Sequence, residues 1–218
     1  MSHTFEVTSS RILLEAPIIA VRSDEVTMPG GGSATREVVE HFGATAIAAV
    51  DDDGRVAMVR QYRHTVGRRL WELPAGLLDV AGEDPLDCAR RELVEEAGLK
   101  AESWGLLLDL VPSPGYGAET IRVFLARGLR PTERPEAAEE EADMELEFWD
   151  LDEAVNAALD GRVVNSIAVA GLFAAREGLS GRREPRSTDE PFDLRPEALA
   201  RRRRAAGVEP DMKRIDHP

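Results

Sequence analysis

The chain has 218 residues, 43% of them apolar, with a formal net charge of −14 and one cysteine. That suffices for one core of ordinary size with an appendage, so folding needs no metal or disulfide, and an intrachain disulfide is excluded. The negative charge argues against nucleic-acid or anionic-membrane partners, no apolar run is long enough to span a membrane, and no secretion signal opens the chain, so a cytoplasmic protein is expected.

Residues 1–41 read as a β-rich arm of short strands, with apolar patches at Ile12–Leu14 and Ile18–Val21 and a glycine turn at Gly30–Gly32. So thin an arm has little core of its own and is expected to pair with the main domain or with a second subunit. The main domain is expected over residues 42–180. It opens with strands at Ala44–Val50 and Arg55–Tyr62 around Asp53-Gly54, a hairpin signal that makes Asp51, Asp52 and Asp53 turn residues rather than a metal site. Arg60, Arg63, Arg68 and Arg69 follow with no acidic residue among them, which offers local positive charge to a phosphorylated substrate or simply a basic surface turn. Trp71 and Leu73 then alternate with Glu72 on a short strand leading to Gly76.

Asp84-Pro85 reads as an N-cap with proline at the first helical position, and Gly98 as the residue that ends the helix, so the spacing predicts a helix over 85–97. Leu86, Ala89, Leu93, Val94 and Ala97 share one side of it, while Glu92, Glu95 and Glu96 share another. Three neighbouring carboxylates repel one another, so helix stability gives no reason to gather them; a divalent cation such as Mg²⁺ or Mn²⁺ does, and a solvated acidic face is the plainer alternative. Cys88 reads as a small half-buried thiol and not as a nucleophile or a Mg²⁺ ligand.

Beyond the helix, strands are expected at Ser103–Leu110 and Thr120–Ala126, joined by the stiff loop Val111-Pro112-Ser113-Pro114-Gly115-Tyr116-Gly117. Tyr116 either lines a sugar or base pocket or packs its own loop. Glu136–Glu145 reads as an acidic loop able to close over a substrate. A last strand at Glu145–Trp149 and helices at Leu151–Leu159 and Ser166–Arg176 follow, the second stopped at Gly178, with Asn165 and Ser166 as caps. Residues 181–218 are polar and proline-rich and read as a tail in which Arg201–Arg204 form a solvated helix or a frayed end, the alternative being a site for an anion or a partner.

Gly76, Glu83 and the run Arg91-Glu92-Leu93-Val94-Glu95-Glu96-Ala97-Gly98-Leu99 together resemble the signature of the Nudix hydrolases, with one residue more between Gly76 and Glu83 than the family pattern has. Glu72-Leu73-Pro74-Ala75-Gly76, the triplet Gln61-Tyr62-Arg63, and Pro114 sixteen residues after Gly98 are similar to the marks of the ADP-ribose pyrophosphatase branch. The resemblance implies an α/β (α+β) fold, the Nudix α/β/α sandwich with a mixed sheet, here with an N-terminal β-rich arm, and a homodimer. It implies Mg²⁺ (or Mn²⁺) held by Glu92 and Glu96 with Glu95 and the Ala75 carbonyl beside them. Arg91 would orient Glu95, while Gly76 and Glu83 brace the loop. Arg63, Glu72 and Tyr116 fall on the substrate side; Arg63 would take the diphosphate, the alternative being a strand-end arginine paired with a carboxylate. Glu141, with Glu140 second, aligns with the general base. The implied activity is hydrolysis of ADP-ribose to AMP and ribose 5-phosphate; the alternatives are another nucleoside diphosphate derivative, such as a sugar nucleotide or dinucleotide, or a sensor that binds without cleaving.

Overall fold

The computed structural model describes residues 3–135 and 143–215. Its centre is the strand β4 (Ala44–Ala49), six buried residues of which five are Ala or Thr and one is Ile. Side chains this small let other layers approach from both faces. β4 pairs antiparallel with β7 (Ala75–Leu77) and parallel with β9 (Ile121–Pro131), which in turn pairs antiparallel with β8 (Leu99–Leu110), giving a mixed sheet in the order β7-β4-β9-β8.

A second sheet has β5 (Arg55–Arg63) between β10 (Glu145–Asp150) and β6 (Arg68–Glu72). The Asp53-Gly54 turn forms as expected, with Asp51 accepting the amides of Asp53 and Arg55, but the strands on its two sides do not make a hairpin ladder. They meet at a single bridge, Val50 to Val56, and then diverge into the two sheets. Both are buried on both faces, so each finds partners elsewhere and neither depends on the other for pairing.

One face of the sheets carries α1 (Pro85–Ala97), whose Leu93 packs with Ile47, Ala49, Leu106 and Phe124; the other carries α2 (Leu151–Leu159) and α3 (Ser166–Leu179), whose Leu172 packs with Ala46, Ala48, Met58 and Val123. The result is the expected α/β/α sandwich. Gly171 lets α3 close on the sheet, since a Cβ there would lie 2.5 Å from the Leu73 side chain. Gly178 does not stop α3, which runs on to Leu179.

The N-terminal arm is an antiparallel meander of β1 (Val7–Glu15), β2 (Ile19–Thr27) and β3 (Ser33–His41). Every residue of β1 is exposed, and the arm meets the main body through Val39, which bridges to Gly117, and through Phe42. The segment from residue 181 is not the solvated tail that its composition suggested. It holds the helix α4 (Ala198–Ala205), and Leu199 and Met212 are buried with Ala20 and Phe42 in a small core of their own. Its arginines find fixed partners: Arg202 pairs with Glu15 and Glu40, and Arg203 donates to the Ala16 carbonyl at 2.7 Å. Leu199 and Met212 give the segment its apolar anchor, and further contacts dock it along its length: Arg186 bridges to Leu106, and Arg122 donates to the Glu190 and Pro191 carbonyls.

Candidate active site

The helix α1 forms with the expected bounds. Asp84 accepts the Leu86 amide at 2.8 Å, Pro85 takes the first position, and Gly98 adopts φ +63°, a left-handed conformation in which a side chain would be strained. The register puts Glu92 and Glu96 on the buried flank, against β7. Gly76 is what allows this contact: a Cβ there would sit 1.9 Å from the Glu92 carboxyl carbon. Glu96 accepts the Ala75 amide at 2.9 Å, so helix and strand are joined at the carboxylates themselves.

Arg91 organises the rest. Its guanidinium grips Glu83 with two bonds of 2.9 Å, reaches Glu95 at 3.1 Å and also pairs with Glu92. The fork geometry suits a guanidinium and holds its pKa above the ordinary arginine value, the Glu83 bond contributing most. Glu92 is pushed up to about 7, first because burial penalises its charge and then because Glu95 and Asp79 lie nearby, with Arg91 opposing. A buried carboxylate whose burial Arg91 offsets only in part is chemically suited to a cation.

Among the described residues, no three His, Cys, Asp or Glu side chains already converge into a cage. Glu92 and Glu95 turn to Arg91, and Glu96 to the Ala75 amide. The donors nevertheless fit a hard divalent cation: they are all oxygens, two of the carboxylates are buried, and the cradle beneath Glu92 is one that any side chain at Gly76 would fill.

Beside the carboxylates lies a cavity of about 560 Å³ whose lining includes Arg63, Glu72, Ala75 and Gly76, and also Ile18, His41, Glu119 and Asn165. Arg63 and the buried Glu72 form a two-pronged ion pair at 3.0 and 2.7 Å, so the strand-end pairing is realised on the wall of the cavity. His41 accepts the Gly43 amide at Nδ1, and burial lowers its pKa although Glu119 is 3.5 Å away. Tyr116 is exposed and stands outside this lining; its backbone carbonyl accepts the Val39 amide at 2.8 Å. Glu140 and Glu141 lie outside the described residues.

Cys88 is fully buried rather than half-buried. Its thiol faces the Leu77 carbonyl at 3.3 Å and accepts from Thr45, and burial pushes it up to about 12. Sequence reasoning missed Ile18, His41, Glu119 and Asn165 as cavity residues. Only Asn165 carried a signal, and that signal was its capping bond to Ile167 and Ala168. Asp79 was missed too: buried beside Glu92, it pairs with Lys213 at 2.5 Å.

The NUDIX domain profile matches residues 40–168, and the profile of the nucleoside diphosphate sugar hydrolase N-terminal domain matches residues 5–39. The chain is 55% identical over 201 residues to an ADP-ribose pyrophosphatase of Mycobacterium tuberculosis, covering 92% of this chain and 97% of that protein. It is 35% identical over 155 residues to a methanol dehydrogenase activator of Bacillus methanolicus, covering 71% of this chain and 83% of that protein. The crystal structure of an ADP compounds hydrolase superposes with a TM-score of 0.71 at 22% identity, over 83% of this chain and 96% of the other, which shows a shared fold. With the signature helix seated on its glycine loop inside a sandwich of this kind, and with a profile match over more than half its length, the chain belongs to the Nudix family.

Proposed function

We propose that this Nudix hydrolase cleaves the diphosphate of ADP-ribose to AMP and ribose 5-phosphate. The observation that carries the reading is the junction of Glu92 and Glu96 with the Ala75–Gly76 strand, placed on the rim of a cavity walled by the Arg63–Glu72 pair. The near full-length similarity to an ADP-ribose pyrophosphatase supports the choice of substrate.

Nudix hydrolases generally use divalent metal ions, and Mg²⁺ is the ion proposed here, with Mn²⁺ as a substitute. Glu92, Glu95, Glu96 and the Ala75 carbonyl would hold it. Bound there, it supplies positive charge to the diphosphate and acidifies water. Arg63 binds diphosphate oxygens through its guanidinium, and Glu72 fixes the direction in which that guanidinium points. Arg91 holds Glu95, and Glu83 holds Arg91. Glu141, or Glu140 one residue earlier, removes a proton from the attacking water as its oxygen joins one phosphorus and the bridging P–O bond breaks.

The reading includes a homodimer formed through the N-terminal arm, supported by the exposed Val7, Ile12, Leu13 and Leu14 of β1, and a cytoplasmic location, in keeping with a lone reduced cysteine. A second reading, hydrolysis of a sugar nucleotide, is favoured by the match of residues 5–39.

Product analysis after incubation with Mg²⁺ tests the proposal. AMP and ribose 5-phosphate should appear in equal amounts from ADP-ribose, and chelation should stop their release. If ADP-ribose ranks among the poorest substrates the first reading fails, and tight binding without AMP release would make the protein a sensor.

A further inference from the structure

The loop between Gly76 and Glu83 is the one place where the signature is longer than its pattern, and the middle of that loop rests against the C-terminal segment. Asp211 bridges to Val80, the Met212 amide donates to the Asp79 carbonyl at 2.9 Å, and the Ala81 amide donates to the Pro210 carbonyl at 2.9 Å. Lys213 Nζ meets the buried Asp79 carboxylate at 2.5 Å. Arg195, further back in the same segment, donates from Nη1 to the Glu83 carbonyl at 3.1 Å. Met212 is buried beside Phe42 and Leu199, which anchors the strap to the body of the protein.

An extra loop residue adds conformational freedom just where the Glu83 carboxylate must stay aligned with Arg91. Backbone pairing at Asp79, Val80 and Ala81 removes that freedom. We infer that Arg195 and Lys213 are positioning residues: the C-terminal strap holds the 77–83 loop, and through Glu83 and Arg91 it keeps the α1 carboxylates in working register. The path is continuous, from Arg195 to the Glu83 backbone, from the Glu83 side chain to Arg91, and from Arg91 to Glu92 and Glu95. Lys213 acts in parallel by matching the Asp79 charge, which would otherwise stand buried and unpaired beside Glu92. No described residue of the strap is among those that line the cavity, so it belongs to the alignment of the site and not to its grip on substrate.

The inference rests on the proposed hydrolysis for its kinetic arm only. In the full chain, Arg195→Met and the paired change Asp79→Asn with Lys213→Met are compared with wild type by kcat and KM for ADP-ribose, by Tm, and by amide hydrogen exchange without metal or substrate. Pairing the second set removes both charges together and avoids an orphaned carboxylate. The expected result is a kcat lowered about tenfold with KM unchanged. Exchange should quicken at residues 77–83 while β4 and β9 stay protected, and Tm should move by no more than about 2 °C. Arg195→Lys, which can still donate to a carbonyl, should recover much of the rate. The inference is overturned if exchange in the loop stays at the wild-type rate, if the loop loosens without a fall in kcat, if KM rises while kcat holds, or if kcat falls only in step with Tm and with exchange across the central sheet. A wild-type chain that does not cleave ADP-ribose would instead refute the functional reading, and the exchange measurement would still decide whether the strap holds the loop.

Discussion

Gly76 and Glu92 occupy one space: the first missing atom of the glycine side chain is the volume filled by the carboxyl group of the glutamate, 1.9 Å away. The contact joins a strand end to a helix flank, and it has no room for even a methyl group. Gly76→Ala therefore displaces the Glu92 carboxylate. The displaced group is the end of a flexible side chain, so the fold survives, and the damage falls on catalysis. Steady-state kinetics should show kcat/KM reduced by about 100-fold, with a folded protein by circular dichroism. Wild-type activity in this variant would mean that the position of Glu92 does not matter.

Arg91 serves Glu83, Glu92 and Glu95 together, and only a forked cation reaches all three. Arg91→Lys should lower kcat by about 10–100-fold, and Glu83→Gln by a similar factor, as expected when the partner of a ligand is lost. Because the two residues act as a unit, the double variant should be barely worse than the poorer single one. Additive losses in the double-mutant cycle would show that they work independently.

The local features of α1 were legible because its ends carry strong local chemistry, a cap, a proline and a left-handed glycine, and its two faces differ in kind. The pairing of β4 was not. Its neighbour β9 begins more than seventy residues later, and a run of alanines buried on both faces carries no alternation to say which strand lies alongside. The Asp53-Gly54 turn was read correctly as a turn and misleadingly as a hairpin, since a turn signal describes four residues and not the fate of the strands it joins. Within the site, the glutamates and Arg63 were visible through motif spacing, whereas His41, Glu119 and Ile18 arrive from separate elements with nothing local to mark them.

Cys88 should resist thiol reagents in the folded protein. At pH 8 its thiol, pushed up to about 12, is almost wholly protonated as well as buried, so alkylation should proceed only through unfolding. The same shift gives a sign for stability. The folded pKa is raised above the ordinary 9.0, so the unfolded chain releases this proton first, and the contribution present below pH 9 is lost as pH climbs toward 12. Denaturant titrations of wild type and Cys88→Ala should accordingly converge as pH rises above 9. A gap that stays constant, or rapid labelling of the native protein, would contradict the buried setting.

Leu199 distinguishes a docked segment from a solvated one. Leu199→Ala should destabilise the protein by about 2–5 kcal/mol in urea titrations, the range for a buried leucine. A surface position would lose no more than about 0.5 kcal/mol.

The contact between Arg195 and Glu83 spans 112 positions of the chain. A ribosome finishes the signature helix long before it makes the arginine, so for many seconds of synthesis at about 5–20 residues per second the nascent protein carries its acidic flank without the brace that completes it. The loop around Asp79 must wait for Lys213 before its buried charge is answered, and a chain cut short after α3 but before Arg195 would leave the tunnel as a near-complete sandwich with an unfinished catalytic rim.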